Sequence, residues 1–442
     1  MFANLLYAIA LVALAPIIAY RMIRHGRYRR GLAQKLWGVS ASDALRITGG
    51  EPCLWIHAVS VGEVNLLPGV VSQLQEQVRC PIAVSTSTDT GYDLAVKHFG
   101  CDRVFFCPLD FTWAVRRTLR NLAPVQLVLA ELELWPNLVR IASDAGCPVA
   151  IINGRLSDRS SAGYQRFGKW TQPIFRSISW IGCQDETCRH HFATCGAEQR
   201  RLELTGSIKF DDAPTDRCTT EVQSRHRWAR LAPSHCVWVV GSTQEGEERM
   251  ALELYQELQA HYPDLRMILV PRHKERFKEV ANLIEQSGFA ARRRSQEQRP
   301  SDATWNTDTV ILVDTIGELR HWWGVGHLAT VGGSFGERGG QNMLEPAGYG
   351  CAVSFGPNTR NFKEISARLL AADGAVRVAD QQELKSFVRR CLDDENYASS
   401  LGAAAQAVVL SHRGATKRTV DALVSQLSAH HGLGSRSDQK AA

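Results

Sequence analysis

The feature that most constrains the fold is a repeated alternation of short apolar runs with longer amphipathic stretches. In the first half the apolar runs are strand candidates, at residues 53–59, 81–87, 103–108, 127–133, 148–153 and 179–184. The pattern restarts in the second half, at residues 237–242, 266–271, 309–314, 328–332 and 352–356. Strands that alternate with helices indicate parallel sheets covered on both faces. Two such series predict an α/β chain with two doubly wound, Rossmann-like domains facing each other.

The stretches between and after these runs indicate the domain boundaries. Residues 211–233 are polar and lack a strand pattern, so we place one domain at 31–215 and the other at 216–431. Helical patterns fall at residues 66–77, 113–121, 247–261, 274–286 and 397–429. The last residues, 432–442, are small and polar, which predicts a disordered tail.

The composition is that of a globular chain, with 44% hydrophobic and 22% charged residues among 442. A net charge of +6 is too small for a nucleic-acid-binding surface, so we predict no nucleic acid partner. The 12 cysteines are spread through apparent strands and helices, which favours free thiols in a reducing cytosol over a disulfide framework.

The N-terminus, residues 1–30, is a candidate membrane anchor. Residues 2–20 carry no charged side chain, and a dense basic flank runs from Arg21 to Arg30. About 20 apolar residues are enough to cross a hydrocarbon core, and the basic flank then places the remaining chain on the cytoplasmic side. Pro16 and the short length leave two alternatives, a helix lying in the membrane interface and a buried core helix.

Glu63 is the first candidate functional residue. It closes the segment from His57 to Glu63, where a predicted strand gives way to a helix. Because ligands bind at the carboxyl ends of strands in such sheets, this carboxylate can accept a proton from a hydroxyl nucleophile. It can equally cap the helix that follows, and the spacing does not separate the two roles.

Glu131 and Glu133 close another apolar strand. Side chains alternate along a strand, so both carboxylates are expected on one face, where burying them unpaired would be costly. A solvated strand end is the alternative. The otherwise apolar strand favours a site.

Two cations also follow predicted strands. Lys209 closes the first series and Arg272 follows a strand of the second, so both are candidate partners of a phosphate or carboxylate. A single surface cation usually has no such role, so each signal is weak alone. The segment 241–248 also joins a strand to a helix, where backbone amides can hold an anion.

The strongest local signal is a glycine-rich loop (residues 332–340) that leads from a strand towards a helix. Its backbone N–H groups can approach a phosphate closely, and Glu345, one turn into the helix, is within reach of a ribose hydroxyl pair. The candidate binding residues in and beyond the loop are Gly332, Gly333, Ser334, Gly339, Gly340, Asn342 and Glu345.

Five potential zinc ligands lie close together in sequence: Cys183, Cys188, His190, His191 and Cys195. They include no Cys-x-x-Cys pair, and three of them fall on one face of a predicted helix, as packed residues do. We therefore predict no metal site.

Taken together, these motifs resemble one family, the 3-deoxy-D-manno-octulosonic acid (Kdo) transferases of lipid A and lipopolysaccharide biosynthesis. These are inverting glycosyltransferases of the GT-B fold. The resemblance covers nearly the whole chain, through motifs at residues 57–63, 131–137, 153–157, 206–210, 241–248, 271–273, 332–345 and 356–362. Departures from the family pattern are Gln244 for histidine, Gly154 for alanine and Asp89 for proline.

The resemblance implies the substrates of both domains. CMP-Kdo is the implied donor, bound by the second domain, and a lipid A precursor, lipid IVA, is the implied acceptor, bound by the first. The implied location is the cytoplasmic face of the inner membrane. No metal and no cofactor are implied, because helix dipoles and cations stabilise the departing phosphate.

The resemblance also implies a role for each candidate residue. Glu63 is the implied general base, and Glu131 is a second carboxylate on the acceptor side. Lys209 is implied to neutralise a phosphate or the Kdo carboxylate. Arg272 and the glycine-rich loop are implied CMP contacts, with Glu345 on the ribose.

Two other classes of function remain open. A nucleotide-sugar epimerase shares the architecture but has no use for a membrane anchor or a lipid acceptor. A non-catalytic membrane scaffold on the same fold would not bind a cytidine nucleotide.

Overall fold

The computed structural model describes residues 30–132, 134–296 and 308–431, with isolated positions before them at Asn4, Tyr7, Pro16, Tyr20, Met22 and Arg24. The chain divides into two compact units. The first comprises Met1–Asp211 and Arg413–Ala442, and the second comprises Asp212–His412. Each unit contains one seven-stranded sheet.

The sheet of the first unit is parallel, with strand order β3-β2-β1-β4-β5-β6-β7. Its strands are β1 (Cys53–His57), β2 (Ile82–Thr86), β3 (Val104–Phe106), β4 (Pro124–Ala130), β5 (Val149–Gly154), β6 (Trp180–Cys183) and β7 (Leu202–Leu204). The chain first builds outwards from β1 to β3 and then returns to the other side of β1 with β4. The strand order therefore reverses between β1 and β4.

The second sheet repeats this plan, with order β10-β11-β9-β8-β12-β13-β14. Its strands, all parallel to their neighbours, are β8 (Cys236–Thr243), β9 (Leu265–Pro271), β10 (Ala290–Arg293), β11 (Thr309–Leu312), β12 (Leu328–Val331), β13 (Ala352–Phe355) and β14 (Ala375–Arg377). Here the order reverses between β8 and β12. The predicted α/β class with two doubly wound sheets is confirmed.

Helices connect the strands of both sheets. Those of the first unit are Leu32–Trp37, Ala41–Thr48, Val61–Val64, Leu67–Gln77, Asp89–Phe99, Thr112–Leu122, Pro136–Asp144, Asp158–Arg166, Gly168–Ser177, Glu186–Thr194 and Ala415–His431. Those of the second are Thr220–Ala229, Glu247–Gln259, Phe277–Gln286, Leu319–Trp322, Leu344–Gly348, Lys363–Ala371, Gln381–Asp393 and Glu395–His412.

The central strands are buried along their length because helices cover both faces of each sheet. Every residue of β1 is buried, including Trp55, whose indole N–H donates to the Ser85 hydroxyl on β2 at 2.7 Å. In the second sheet the buried Trp238 indole of β8 donates to the Thr330 hydroxyl on β12 at 2.9 Å. Both large rings are therefore buried without leaving an unpaired N–H group, which would be costly.

The C-terminal helix differs from the prediction. The helical pattern at residues 397–429 is interrupted at Gly414, whose φ of +86° ends one helix before Ala415–His431 begins. The side chains of Val420, Leu423 and Leu427 belong to the core of the first unit, where this helix packs against helix Leu67–Gln77 and strands β4 and β5. Residues from Arg413 onwards thus belong with the first unit, whereas the sequence had placed 216–431 in one domain.

This packing makes the C-terminal helix necessary for the stability of the first unit. Leu423 is fully buried, so we expect the Leu423→Ala variant to lose about 2–5 kcal/mol of unfolding free energy. Leu410, which is 49% exposed, provides a matched control, and Leu410→Ala should change stability by less than about 0.5 kcal/mol. Urea-induced unfolding of both variants measures the difference. Equal stabilities would contradict this packing.

Two predicted segments fall largely or wholly outside the described residues. The anchor at residues 1–30 lies mostly outside the described residues, and the tail at 432–442 lies wholly outside them. In the part of the chain that the structure describes, no helix has both the length and the apolar character needed to span a membrane.

Candidate active site

The first half of the candidate site lies where the strand order of the first sheet reverses. The carboxyl ends of β1 and β4 are neighbours there, and this is the point at which doubly wound sheets bind ligands. Glu63 lies in the short helix after β1, and Glu131 is the first residue after β4. Both predicted catalytic carboxylates are thus at the same edge of the sheet.

The Glu63 carboxylate is held by the turn that begins helix Val61–Val64. Its Oε2 atom accepts a hydrogen bond from the Val59 N–H, and its Oε1 atom accepts one from the Ser60 hydroxyl, both at 2.8 Å. The Ser60 hydroxyl accepts in turn from the Glu63 N–H at 3.5 Å, as in a capping box. The capping role that the sequence left open is therefore present. It is compatible with catalysis, because each carboxylate oxygen has a second lone pair.

His57 is the other titratable side chain of this motif. It is 1% exposed, and its Nδ1 atom lies 2.9 Å from the Ser85 hydroxyl. Burial lowers the pKa of His57 to about 4, so the ring is neutral near pH 7. The His57 ring is buried against Ser85 of β2. Glu63 has the larger exposed fraction of the two, 8%, so it is the group better placed to contact a substrate.

Glu131 does not lie on the strand, contrary to the prediction that it shares a strand face with Glu133. The strand β4 ends at Ala130, and Glu131 has a left-handed backbone with φ of +55°. Such a conformation is unfavourable for a non-glycine residue and is concentrated at functional sites. Glu133 lies outside the described residues.

Lys209 and Glu131 form an ion pair at this edge of the sheet. The Lys209 Nζ atom lies 3.0 Å from Glu131 Oε1, and the two side chains are 34% and 25% exposed. The buried Asn153, at the end of β5, links both neighbours: its Nδ2 donates to Glu131 Oε1 at 3.4 Å, and its Oδ1 accepts from the Ile208 N–H at 3.0 Å. Asn153 thus holds the lysine segment beside the carboxylate.

The second half of the candidate site lies between β8 and β12, where the second sheet reverses its order. The glycine-rich loop follows β12, and the start of helix Glu247–Gln259 follows β8. The positive φ angles of Gly333, Gly339 and Gly340, between +67° and +90°, explain why glycine is needed at these three positions. Gly340 N–H donates to the Gly333 carbonyl at 2.7 Å, which closes the loop on itself.

Ser334, a predicted binding residue, is fully buried in the loop. Its hydroxyl donates to the Val331 carbonyl at 2.6 Å and accepts from the Gly356 N–H at 2.8 Å. Ser334 therefore connects the loop to β12 and to the segment after β13. Gly332 packs equally closely, since a Cβ atom there would lie 2.8 Å from the Thr243 backbone.

Arg272 follows β9, the neighbour of β8, and its side chain is exposed. Its backbone N–H donates to the Thr243 carbonyl at 3.1 Å, while its guanidinium forms no ion pair within the described residues. The nearby Arg276 differs, because it contacts the buried Glu248 carboxylate at 2.6 Å and Glu279 at 3.0 Å. Arg272 is thus one of the cations in the described part of this unit that remain available for an anionic ligand.

Glu345 and Asn342 lie together at the start of helix Leu344–Gly348. The Asn342 amide donates to Glu345 Oε1 at 3.3 Å and its oxygen accepts from the Leu344 N–H at 3.1 Å. Burial raises the pKa of the Glu345 carboxyl, and the charge of Arg320 opposes part of this rise while that of Asp212 adds to it.

The cysteine and histidine cluster has structural contacts. Cys183, Cys188 and Cys195 are buried, and His191 contacts the Leu156 carbonyl at 2.7 Å and Asp158 at 3.1 Å. Among the described residues no group of three or more histidine, cysteine or acidic side chains is arranged to hold a metal ion.

The structure thus brings the predicted residues together in two groups, one in each unit. One group lies beyond the carboxyl ends of the strands of the first sheet and consists of Glu63, Glu131 and Lys209. The other consists of Arg272 and the glycine-rich loop, which follow the strands on either side of β8 in the second sheet. Sequence reasoning did not assign a role to Asn153 or to Glu247. Both lie inside motifs that it had noted, at 153–157 and 241–248.

Comparison with known proteins identifies the family. Residues 25–212 match the family described as 3-Deoxy-D-manno-octulosonic-acid transferase (kdotransferase). A 3-deoxy-D-manno-octulosonic acid transferase from Haemophilus influenzae is 34% identical over 406 residues, which cover 91% of this chain and 92% of the relative. The chain belongs to the Kdo transferase family. It is therefore a glycosyltransferase, and the predicted transfer of Kdo in lipopolysaccharide biosynthesis is confirmed.

Two further similarities extend over most of this transferase. The relative from Bordetella pertussis, a 3-deoxy-D-manno-octulosonic acid transferase, is 32% identical, with 94% of this chain and 98% of the relative covered. Among solved structures, a UDP-GlcNAc 2-epimerase from Neisseria meningitidis has a TM-score of 0.55 at 12% identity, covering 85% of this chain and 100% of the epimerase. The epimerase similarity concerns the fold alone.

Proposed function

We propose that the protein transfers Kdo from CMP-Kdo to a sugar hydroxyl of a lipid A precursor, lipid IVA, with inversion at the anomeric carbon. The observation that carries this proposal is the placement of the two residue groups. In the first sheet the buried Glu63 carboxylate and the Glu131–Lys209 ion pair lie where the strand order reverses. In the second sheet the glycine-rich loop lies at the corresponding point. The first group suits a hydroxyl acceptor and the second a nucleotide donor.

In the proposed reaction Glu63 accepts the proton of the acceptor hydroxyl. The resulting oxygen attacks the anomeric carbon of Kdo from the face opposite to the nucleotide. The bond from that carbon to the phosphate oxygen breaks, and CMP leaves with the bonding electron pair. The hydrogen bonds from Val59 and Ser60 keep the Glu63 carboxylate in one position, so little reorganisation is needed when it receives the proton.

The Glu131–Lys209 pair is proposed to orient the acceptor beside Glu63. The pair is only partly exposed, so its charges are less screened than those of a surface pair. Lys209 can donate to a phosphate or carboxylate without leaving Glu131, because an ammonium group has three donors. Lys209 thus fits a role in neutralising one of the acidic groups of the substrates.

CMP is proposed to bind the second unit. Arg272, exposed and without an ion pair among the described residues, is suited to the donor's phosphate or to the Kdo carboxylate. Gly332, Gly333, Gly339 and Gly340 shape the glycine-rich loop after β12, and Asn342 contacts Glu345, which accepts hydrogen bonds from the ribose hydroxyls. We retain the proposal of a reaction at the cytoplasmic face of the inner membrane, with residues 1–30 as the anchor and no metal or cofactor.

The Glu345 assignment predicts a pH dependence of nucleotide binding. An ionised carboxylate accepts hydrogen bonds from both ribose hydroxyls, whereas a protonated carboxyl carries an O–H donor and accepts them less strongly. Burial raises the pKa of Glu345. CMP affinity should therefore have its full value above that raised pKa and should fall as the pH drops through it. Isothermal titration of CMP at several pH values tests this. The Glu345→Gln variant controls for titration of the CMP phosphate, and an identical pH dependence in both proteins would contradict the assignment.

The epimerase alternative is supported only by similarity of fold. The nucleotide distinguishes the two functions, because a Kdo transferase uses cytidine and the epimerase neighbour binds UDP-GlcNAc. Isothermal titration of the full-length protein in detergent, with CMP and with UMP, tests the donor assignment. We expect clear binding of CMP and weaker binding of UMP. A preference for UMP, or no binding of CMP, would contradict the proposed function.

A further inference from the structure

The Glu247 carboxylate is buried beneath the glycine-rich loop. It is 5% exposed and forms four hydrogen bonds, all from backbone N–H groups. Its Oε2 atom accepts from Gln244 at 2.9 Å and from Gly333 at 2.7 Å, and its Oε1 atom accepts from Ser334 and Phe335, both at 3.1 Å. Three consecutive loop amides therefore point at one protein carboxylate.

Successive N–H groups arranged in this way form a concavity that binds anions. The sequence predicts that the loop amides face a phosphate, but those of residues 333–335 are already satisfied by Glu247. The fit is close, because a Cβ atom on Gly332 would lie 2.6 Å from Glu247 Oε2. Neither a phosphate nor a larger side chain at residue 332 fits beside the carboxylate.

The remainder of the loop is fixed differently. Carbonyl groups of residues 336–339 accept hydrogen bonds from the segment 358–361: Gly336 from Asn358, Glu337 from Arg360, and Arg338 and Gly339 from Asn361. Among the described residues, the N–H groups of residues 336–339 donate to no partner. This part of the loop thus has its acceptors occupied and its donors available.

We propose that Glu247 is a positioning residue for donor binding. By filling the anion-binding concavity at residues 333–335 it connects the loop after β12 to the loop after β8. It thereby holds the N–H groups of residues 336–339 in place for the phosphate of the nucleotide. Glu247 itself contacts no substrate. This inference rests on the proposed binding of CMP by the second unit.

The test compares Glu247→Gln with Glu248→Gln in the full-length protein. A glutamine at 247 keeps the size of the side chain but replaces one acceptor oxygen by an NH₂ group that opposes the loop amides. Glu248 is the matched control, because it is fully buried in the same helical turn but contacts Thr243 and Arg276 instead of the loop. Both changes remove one buried carboxylate, so both are expected to lower the melting temperature.

We expect Glu247→Gln to weaken CMP binding at least about tenfold, which is about 1.4 kcal/mol, and to raise KM for CMP-Kdo more than it lowers kcat. Glu248→Gln should keep the wild-type CMP affinity, because a loss of folded protein lowers the active fraction and leaves KM unchanged. Amide hydrogen exchange at residues 333–335 should accelerate only in the Glu247 variant.

Glu247→Asp keeps the negative charge but has a side chain shorter by one methylene group. This variant replaces Glu247→Gln in the test if the glutamine variant does not fold. Intermediate CMP affinity with faster exchange at residues 333–335 supports the proposal. Wild-type CMP affinity and KM in folded Glu247→Gln or Glu247→Asp would overturn it. Equal weakening of CMP binding by the Glu248 variant would also overturn it. Failure of the wild-type protein to bind CMP would instead refute the proposed function.

Discussion

Kdo transfer by the Glu63→Gln variant is expected to be about 10²–10⁴-fold slower than by the wild type, because a positioned general base contributes a factor of this size. Glutamine has nearly the same shape as glutamate but cannot take the acceptor proton. The effect should fall on kcat, with CMP binding unchanged, since Glu63 lies in the first unit. Single-turnover transfer assays with saturating donor measure it.

Ser60→Ala separates catalysis by Glu63 from its capping of helix Val61–Val64. This change removes the hydroxyl that caps the helix and contacts Glu63 Oε1, but keeps the carboxylate. Loss of the cap should cost about 1 kcal/mol of stability and leave most of the transfer rate. Most of the rate should remain because the Val59 N–H still holds Glu63 Oε2. Near-wild-type transfer by Glu63→Gln would show that the carboxylate is a helix cap and not the base.

Disruption of the Glu131–Lys209 ion pair is the second change for which we expect a large effect. Removing one preorganised charge from an active site typically costs about 10²–10³-fold in rate, so Glu131→Gln and Lys209→Met should each lose activity on this scale. The same changes should alter stability by only about 0.2–1 kcal/mol, because the pair is partly exposed. Transfer rates and urea-induced unfolding of the variants measure the two quantities.

The double variant tests whether the two residues act as a unit. If Glu131 and Lys209 work through their 3.0 Å contact, Glu131→Gln/Lys209→Met should lose little more activity than the worse single variant. Additive losses would mean that each residue acts separately on a different substrate group. Wild-type activity in either single variant would remove the pair from the mechanism.

The central strands of both sheets could be predicted from the sequence because they are continuous apolar runs. The strand β9 is buried along its whole length and was predicted within one residue, at 266–271. Three other strands were missed, namely β7, β10 and β14. All lie at a sheet edge and are short, and most of their side chains are only partly buried or exposed, so their sequences carry no clear apolar run.

The C-terminal helix shows a second limit of prediction from the sequence. Its apolar pattern predicted a helix but not the sheet it covers, because periodicity indicates a buried face without naming its partner. In the structure that face, with Leu423 fully buried, packs in the core of the first unit. The contact therefore joins distant parts of the chain, as in the hydrogen bond between Gln126 and Gln426, which are 300 positions apart.

The candidate site was predictable where one short motif contains the chemistry. The strand pattern places Glu63 just after one strand and Glu131 close to the end of another, and the structure adds that these two strands are neighbours. The ion pair of Glu131 with Lys209 spans 78 positions, and the hydrogen bonds of Glu247 to the glycine-rich loop span 86 to 88. Such pairings depend on which strands are neighbours, so sequence reasoning assigned the loop amides to a phosphate when a protein carboxylate occupies part of them.

Transfer of Kdo to a lipid acceptor is the most direct test of the central claim. The detergent-purified, full-length protein is incubated with a tetra-acylated lipid A precursor and with CMP-Kdo generated in situ, and the products are analysed by mass spectrometry. We predict a lipid product heavier by one or more Kdo units, which depends on CMP-Kdo and is strongly reduced in the Glu63→Gln variant. An unmodified lipid, with the wild-type protein folded and CMP bound, would contradict the proposed acceptor.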